Sequence, residues 1–140
     1  MSPETPNSGI QAGDTIPTRE VTLTRPDVVR YSGASTDLNP IHYSDRHARA
    51  IGLDGVIAHG MWTMGAALAG VVEWAGGPEK VVNYFVRFTR PIAVPDTDEG
   101  TTVTFSGTVT DITDDIASVA IEAVCQDQKV LGAAKAKVRL

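Results

Sequence analysis

Asp37 and His42 lie five residues apart, with Asn39 and Pro40 between them. An imidazole changes charge near neutral pH, so His42 can take or release a proton under working conditions. A carboxylate beside it can orient the ring and hold its charged form. On a straight strand this odd spacing would send the two side chains to opposite faces. A bend at Asn39-Pro40 would instead bring both to one point, because proline fixes its own φ and restricts the residue before it. The chemistry open to such a pair is general acid–base catalysis. Asp and Asn before Pro are also ordinary turn formers, and a histidine beside them can be a satisfied loop residue. The spacing alone leaves both readings open.

The remaining histidines are His47 and His59. His59 stands at the expected start of an apolar helix, and a local hydrogen bond that holds the loop is the role expected of it. His47 is expected on the surface of a short helix. Asp37, His42, His47 and His59 match no standard zinc spacing, so no metal is expected. Cys125 ends the strand-like run Ala120–Cys125 with no cationic neighbour to lower its pKa, and reads as a core residue. A lone cysteine forms no intramolecular disulfide. With no apolar leader in view, a reducing cytoplasm is the expected compartment.

These residues need a scaffold, and the 140-residue chain, 42% hydrophobic, is one domain's worth. Its net charge of −5 argues against nucleic-acid binding, which needs clustered positive charge. The longest apolar stretch, Met61–Val72, falls short of the ~20 residues that span a bilayer. Neither nucleic acid nor membrane is an expected partner. Residues 1–9 are polar and read as a flexible tail, followed by a domain over 10–140.

A first strand is expected over Arg19–Thr24, after a turn-rich entry from Ile10 to Pro17. Thr24 then reads as the cap of a helix reaching about Ala34, with Pro26 and Asp27 in its first turn. A second short helix should run from Ser44 or Asp45 to Ile51, ended by Gly52. From His59 to Gly76 the chain carries no charge before Glu73 and shows no alternation, the pattern of a helix buried on nearly every side. Its small residues, Gly65, Ala66, Ala67, Ala69 and Gly70, would let it lie close to a sheet. Strands follow over Lys80–Arg90, Thr101–Ile112, Ile116–Cys125 and Lys129–Val138, with hairpins at Asp114-Asp115 and Asp127-Gln128. Residues 91–100 form a surface crossing. This order predicts an α+β fold in which an antiparallel sheet wraps a central apolar helix. Such a sheet leaves edges, so dimerisation by edge pairing is expected.

The segment Tyr31 … Asp37-Leu-Asn39-Pro40-Ile41-His42 … Ala48 resembles the signature of the MaoC-like, or hydratase-2, family of hot-dog proteins. The family's usual glycine before the aspartate is Thr36 here, a departure that bears on the loop's backbone angles. Ile57-Ala-His59-Gly60-Met61 resembles the segment that opens the family's central helix, and Tyr84–Pro91 resembles a family strand. Within the family the chain is similar to the catalytic subunit of mycobacterial-type (3R)-hydroxyacyl-carrier-protein dehydratases.

The resemblance implies reversible (R)-specific hydration of trans-2-enoyl thioesters on coenzyme A or acyl carrier protein. It makes Asp37 and His42 the catalytic pair and the Gly60 N–H the donor to the thioester oxygen. Chemistry agrees: removing the C2 proton puts charge on that oxygen, and the positive end of a helix suits it. Asn39 and His59 have supporting roles. The reaction moves only water and protons, so no cofactor is expected. The partner implied is a second copy, giving a homodimer, or a different hot-dog subunit, giving a heterodimer. Alternatives are a hot-dog acyl thioesterase and a non-catalytic subunit of a dehydratase complex. Trp62, Met64 and Trp74 read either as core or as walls of an acyl slot. Arg87 and Arg90 read as solvated strand ends or as phosphate contacts.

Overall fold

The computed structural model describes residues 9–140; of the expected tail over residues 1–9, all but Gly9 lies outside the described residues. Strand β1 covers Thr15–Leu23 and helix α1 Arg25–Ser35. A 3-10 turn, Pro40–His42, leads to α2, Asp45–Ala50, and then to α3, Gly60–Ala75. The strands β2 (Val81–Phe88), β3 (Thr101–Thr113), β4 (Ile116–Cys125), β5 (Gln128–Lys129) and β6 (Leu131–Arg139) complete the chain. The main sheet is ordered β1-β3-β4-β6-β2, antiparallel throughout, and β5 pairs with β4. With α3 laid against its inner face, this is the hot-dog arrangement.

Local chemistry accounts for most element ends. The Asp27 carboxylate accepts from both the backbone N–H and the hydroxyl of Thr24, at 2.9 and 2.7 Å, and so fixes the start of α1. The Ser44 hydroxyl caps α2 through the His47 N–H. Gly76, at φ 94°, ends α3 in the left-handed conformation that glycine adopts without strain.

Three expectations need correction. Strand β1 begins at Thr15, ahead of Arg19. Pro17 has no N–H for a ladder, but β1 is an edge strand and its register shifts between Ile16 and Arg19, where the proline is tolerated. The hairpin after β4 turns on Gln126 and Asp127, one residue earlier than expected. Both have positive φ, as a two-residue turn between Cys125 and Gln128 requires. The expected final strand is split at Val130, whose N–H bonds to Ala123 and whose carbonyl accepts from Thr89.

The core forms where alternate residues of β3, β4 and β6 face one stripe of α3. Val103, Phe105 and Val109 from β3 join Ala117, Val119, Ile121 and Ala123 from β4. Helix α3 presents Ala67, Val71 and Ala75 to this layer, together with Thr63. Alanines on both sides allow close approach. The helix is not buried all round: Met61, Gly65 and Ala69, on the opposite stripe, are exposed. The sequence reading of a helix enclosed on nearly every side therefore fails for the single chain.

Candidate active site

The loop between α1 and α2 turns sharply at its first residue. Thr36 sits at φ 61°, ψ 16°, the left-handed region. It thus takes up the backbone angles for which a glycine would be favoured, and a β-branched residue there is strained by ~1–2 kcal/mol. Asp37 follows. Its N–H meets the Ser35 hydroxyl, and its Oδ1 accepts the Asn39 N–H at 3.2 Å. Asn39 Oδ1 in turn accepts the Ile41 N–H at 3.1 Å, and the Asn39 carbonyl accepts the His42 N–H. These contacts give Asn39 the turn-shaping role of an Asx residue.

Two hydrogen bonds tie this turn to the strand-like segment before α3. The Ile57 N–H donates to the Ile41 carbonyl, and His42 Nδ1–H donates to the Ile57 carbonyl at 2.8 Å. Residues 56–58 are themselves held by 92–94, through Ala58 to Ile92 and Val94 to Val56. A carbonyl can only accept, so Nδ1 is the donor in this contact and Nε2 is the ring nitrogen left to face Asp37. Nε2 lies 3.6 Å from Asp37 Oδ2. That separation is too long for a direct hydrogen bond. His42 is 6% exposed, whereas the Asp37 side chain is half exposed. At the Asn39-Pro40 bend acid and imidazole come within 3.6 Å of each other.

Behind His42 stands His59, 2% exposed, its ring stacked on that of His42 with centroids 3.7 Å apart. His59 Nε2 lies 3.0 Å from the Ser32 hydroxyl and 3.4 Å from the Asp37 carbonyl. These contacts link α1 and the Asp37 loop to the start of α3. Burial lowers its pKa, the nearby His42 lowers it further, and Asp37 partly opposes the shift. Asp37, His42 and His59 bring potential metal-ligating atoms within 4.8 Å of one another, and His47 stands outside this cluster. The two rings are stacked, however, so their in-plane lone pairs run side by side and do not converge on one point. This donor set is a poor fit for an ion.

Asp37, Asn39, His42 and Gly60 all line a cavity of about 440 Å³. As the first residue of α3, Gly60 has an N–H with no intrahelical acceptor, at the positive end of the helix. A methyl group here would lie 3.1 Å from the Phe88 ring, so the space beside the Gly60 Cα is narrow. Apolar walls come from Ile41, Ile57, Phe88, Ile92, Val130 and Leu131. Trp62, Met64 and Trp74 do not line it: the tryptophans pack on the core, and the Met64 carbonyl accepts the Tyr84 hydroxyl. Their reading as walls of an acyl slot is set aside. Arg90 reaches the cavity wall, but Arg87 does not. Sequence reasoning missed Thr63, a buried hydroxyl on the wall one turn along from Gly60. A polar residue in the apolar run was its only signal.

Comparison with known proteins agrees with this fold. Over 81 residues the chain is 38% identical to 3-hydroxyacyl-thioester dehydratase X of Mycobacterium tuberculosis, covering 58% of this chain and 28% of that protein. Over 89 residues it is 33% identical to the (R)-specific enoyl-CoA hydratase of Rhodospirillum rubrum, covering 63% of this chain and 61% of the relative. The chain thus spans less than two thirds of either. A solved structure described as a MaoC-like dehydratase superposes with a TM-score of 0.91 at 34% identity, covering 95% of this chain and 41% of its own. Residues 9–126 match the family model described as MaoC like domain. The chain belongs to the MaoC-like domain family.

Proposed function

We propose that this chain catalyses the reversible (R)-specific hydration of trans-2-enoyl thioesters, and the dehydration of (3R)-hydroxyacyl thioesters, carried on coenzyme A or acyl carrier protein. The observation that carries the reading is His42 Nε2, with Nδ1 engaged by the Ile57 carbonyl, 3.6 Å from Asp37 Oδ2 on a cavity also lined by Gly60. The names of the two relatives above support the same reaction class. In hydration the oxygen of water bonds to C3, and the π electrons move through C2 to the thioester oxygen. C2 then takes a proton as that charge returns. Asp37 and His42 serve both proton transfers, and the Gly60 N–H with the α3 dipole stabilises the oxygen's transient charge. Asn39 and His59 hold the pair in place. Water and protons are the only species moved, so the reaction calls for no cofactor.

The partner in this reading is a second hot-dog subunit, a copy of this chain or a different one. It would cover the edge strand β2, where Val82, Phe85 and Phe88 are 44%, 52% and 54% exposed, and the bare stripe of α3 around Met61. Among the described residues no helix is long and apolar enough to cross a membrane. The buried free thiol of Cys125 supports a reducing, cytoplasmic compartment.

The test is loss of the conjugated enoyl absorbance of crotonyl-CoA, with free thiol assayed separately. Wild type should remove the enoyl band without releasing thiol. Asp37→Asn and His42→Ala should each lower kcat by roughly 10²–10⁴-fold. Equal rates in wild type and variants would remove the pair from the mechanism. Thiol release without hydration would make the chain a thioesterase.

A further inference from the structure

We propose that the Thr63 hydroxyl is a second donor to the substrate's thioester oxygen, acting beside the Gly60 N–H. The inference rests on the hydratase reading above and assigns one more group within the same site. Thr63 is 4% exposed, yet it lines the cavity that holds Asp37, His42 and Gly60. Its neighbours on the buried stripe of α3 are Ala67, Val71 and Ala75, all apolar. A hydroxyl in that series carries a desolvation cost unless it has a partner. Among the described residues no side-chain hydrogen bond occupies it, and no fully sealed side-chain oxygen or nitrogen is left without a partner. The Thr63 hydroxyl is therefore not fully sealed, and the cavity is the open space that this residue lines.

Helix geometry aims it at the right place. Residues three apart share a helix face, so Thr63 stands directly above Gly60, about 4.5 Å along the axis. The Cα–Cβ bond of a helical residue leans toward the amino end, which brings the hydroxyl down toward the free N–H groups of the first turn. The Gly60 N–H points the same way. An oxygen seated at the head of α3 would meet one donor from the backbone and a second from Thr63. Two donors hold a developing negative charge better than one, and the second also fixes the plane of the thioester.

The test uses three residues at position 63, assayed on crotonyl-CoA and on longer trans-2-enoyl-CoA thioesters, with Asp37→Asn run in parallel. Thr63→Val keeps the shape and removes the hydroxyl; Thr63→Ser keeps the hydroxyl and removes a methyl. A donor role predicts that Thr63→Val lowers kcat by about 10²-fold with little change in KM. Thr63→Ser should stay within a few-fold of wild type. Wild-type kcat in Thr63→Val would overturn the proposal. So would a Thr63→Ser variant as impaired as Thr63→Val, because packing would then be what matters. If Asp37→Asn is inactive while Thr63→Val is unimpaired, only the Thr63 assignment falls. If wild type hydrates none of these thioesters, the hydratase reading falls and takes this one with it.

Discussion

The imidazole rings of His42 and His59 are stacked, with their planes 20° apart and their centroids 3.7 Å apart. Two imidazolium ions could not share that contact cheaply, and burial favours the uncharged form of His59. His59 should therefore titrate below its ordinary value of 6.5, which proton NMR of the ring resonances can follow. Below about pH 6.5 the unfolded chain binds a proton at this residue that the folded chain resists, so stability falls as the pH drops from there toward the folded pKa. The urea midpoint should decline over that window in wild type and decline less in His59→Asn. A His59 resonance titrating at or above 6.5 would contradict the prediction.

Thr36 offers a stability gain. Its left-handed backbone is strained for a β-branched side chain, and glycine relieves that strain at some cost in unfolded-state entropy. Thr36→Gly should raise stability by up to ~1 kcal/mol while leaving kcat near wild type. A lowered melting temperature would show that the Thr36 side chain contributes more than it strains.

Asp45 holds together the strut behind His42. Its Oδ1 accepts from Arg25 at 2.8 Å and from the Val56 N–H at 2.9 Å, while Arg25 Nε donates to the Val94 carbonyl. The Val56 hydrogen bond is the main cause of the lowered Asp45 pKa, with Arg25 adding to it against a burial penalty. Asp45→Ala should cost ~1–3 kcal/mol, read by urea unfolding at neutral pH. A carboxyl with a depressed folded pKa contributes fully above its unfolded value and loses that contribution as the pH falls through the folded one. The deficit of the variant should therefore shrink in acid. An equal deficit at every pH would mean that packing, not charge, is what was lost.

Gly60→Ala separates access from folding. An added methyl at 3.1 Å from the Phe88 ring needs that ring to give by only a few tenths of an ångström. Melting should move little, since alanine favours a helix. Hydration should fall by an order of magnitude or more as the methyl crowds the N–H. Full activity would remove the Gly60 N–H from the mechanism.

The apolar edge of β2 predicts association. The isolated chain should show concentration-dependent dimerisation in sedimentation, and Phe85→Lys should abolish it. A chain that is monomeric at every concentration would assign the edge to a different subunit.

Much of this molecule is written in short-range pattern. Thr24 and Asp27 mark the start of α1, Gly76 marks the end of α3, and alternation marks β3 and β4, because caps and periodicity act within a few residues. The pairing of Asp37 with His42 was legible for the same reason: only a turn of four residues separates them. Which ring nitrogen of His42 faces Asp37 was not legible. It depends on the Ile57 carbonyl, fifteen residues away, which sits where it does because residues 92–94 hold it. The stacking of His59, its contact with Ser32, the closeness of Phe88 to Gly60, and the place of Thr63 on the cavity wall are likewise decided by how distant segments pack. Residue types and spacing name the groups able to do the chemistry; packing between distant segments sets which nitrogen of His42 faces Asp37, which hydroxyl residue lines the cavity, and which face of α3 stays bare.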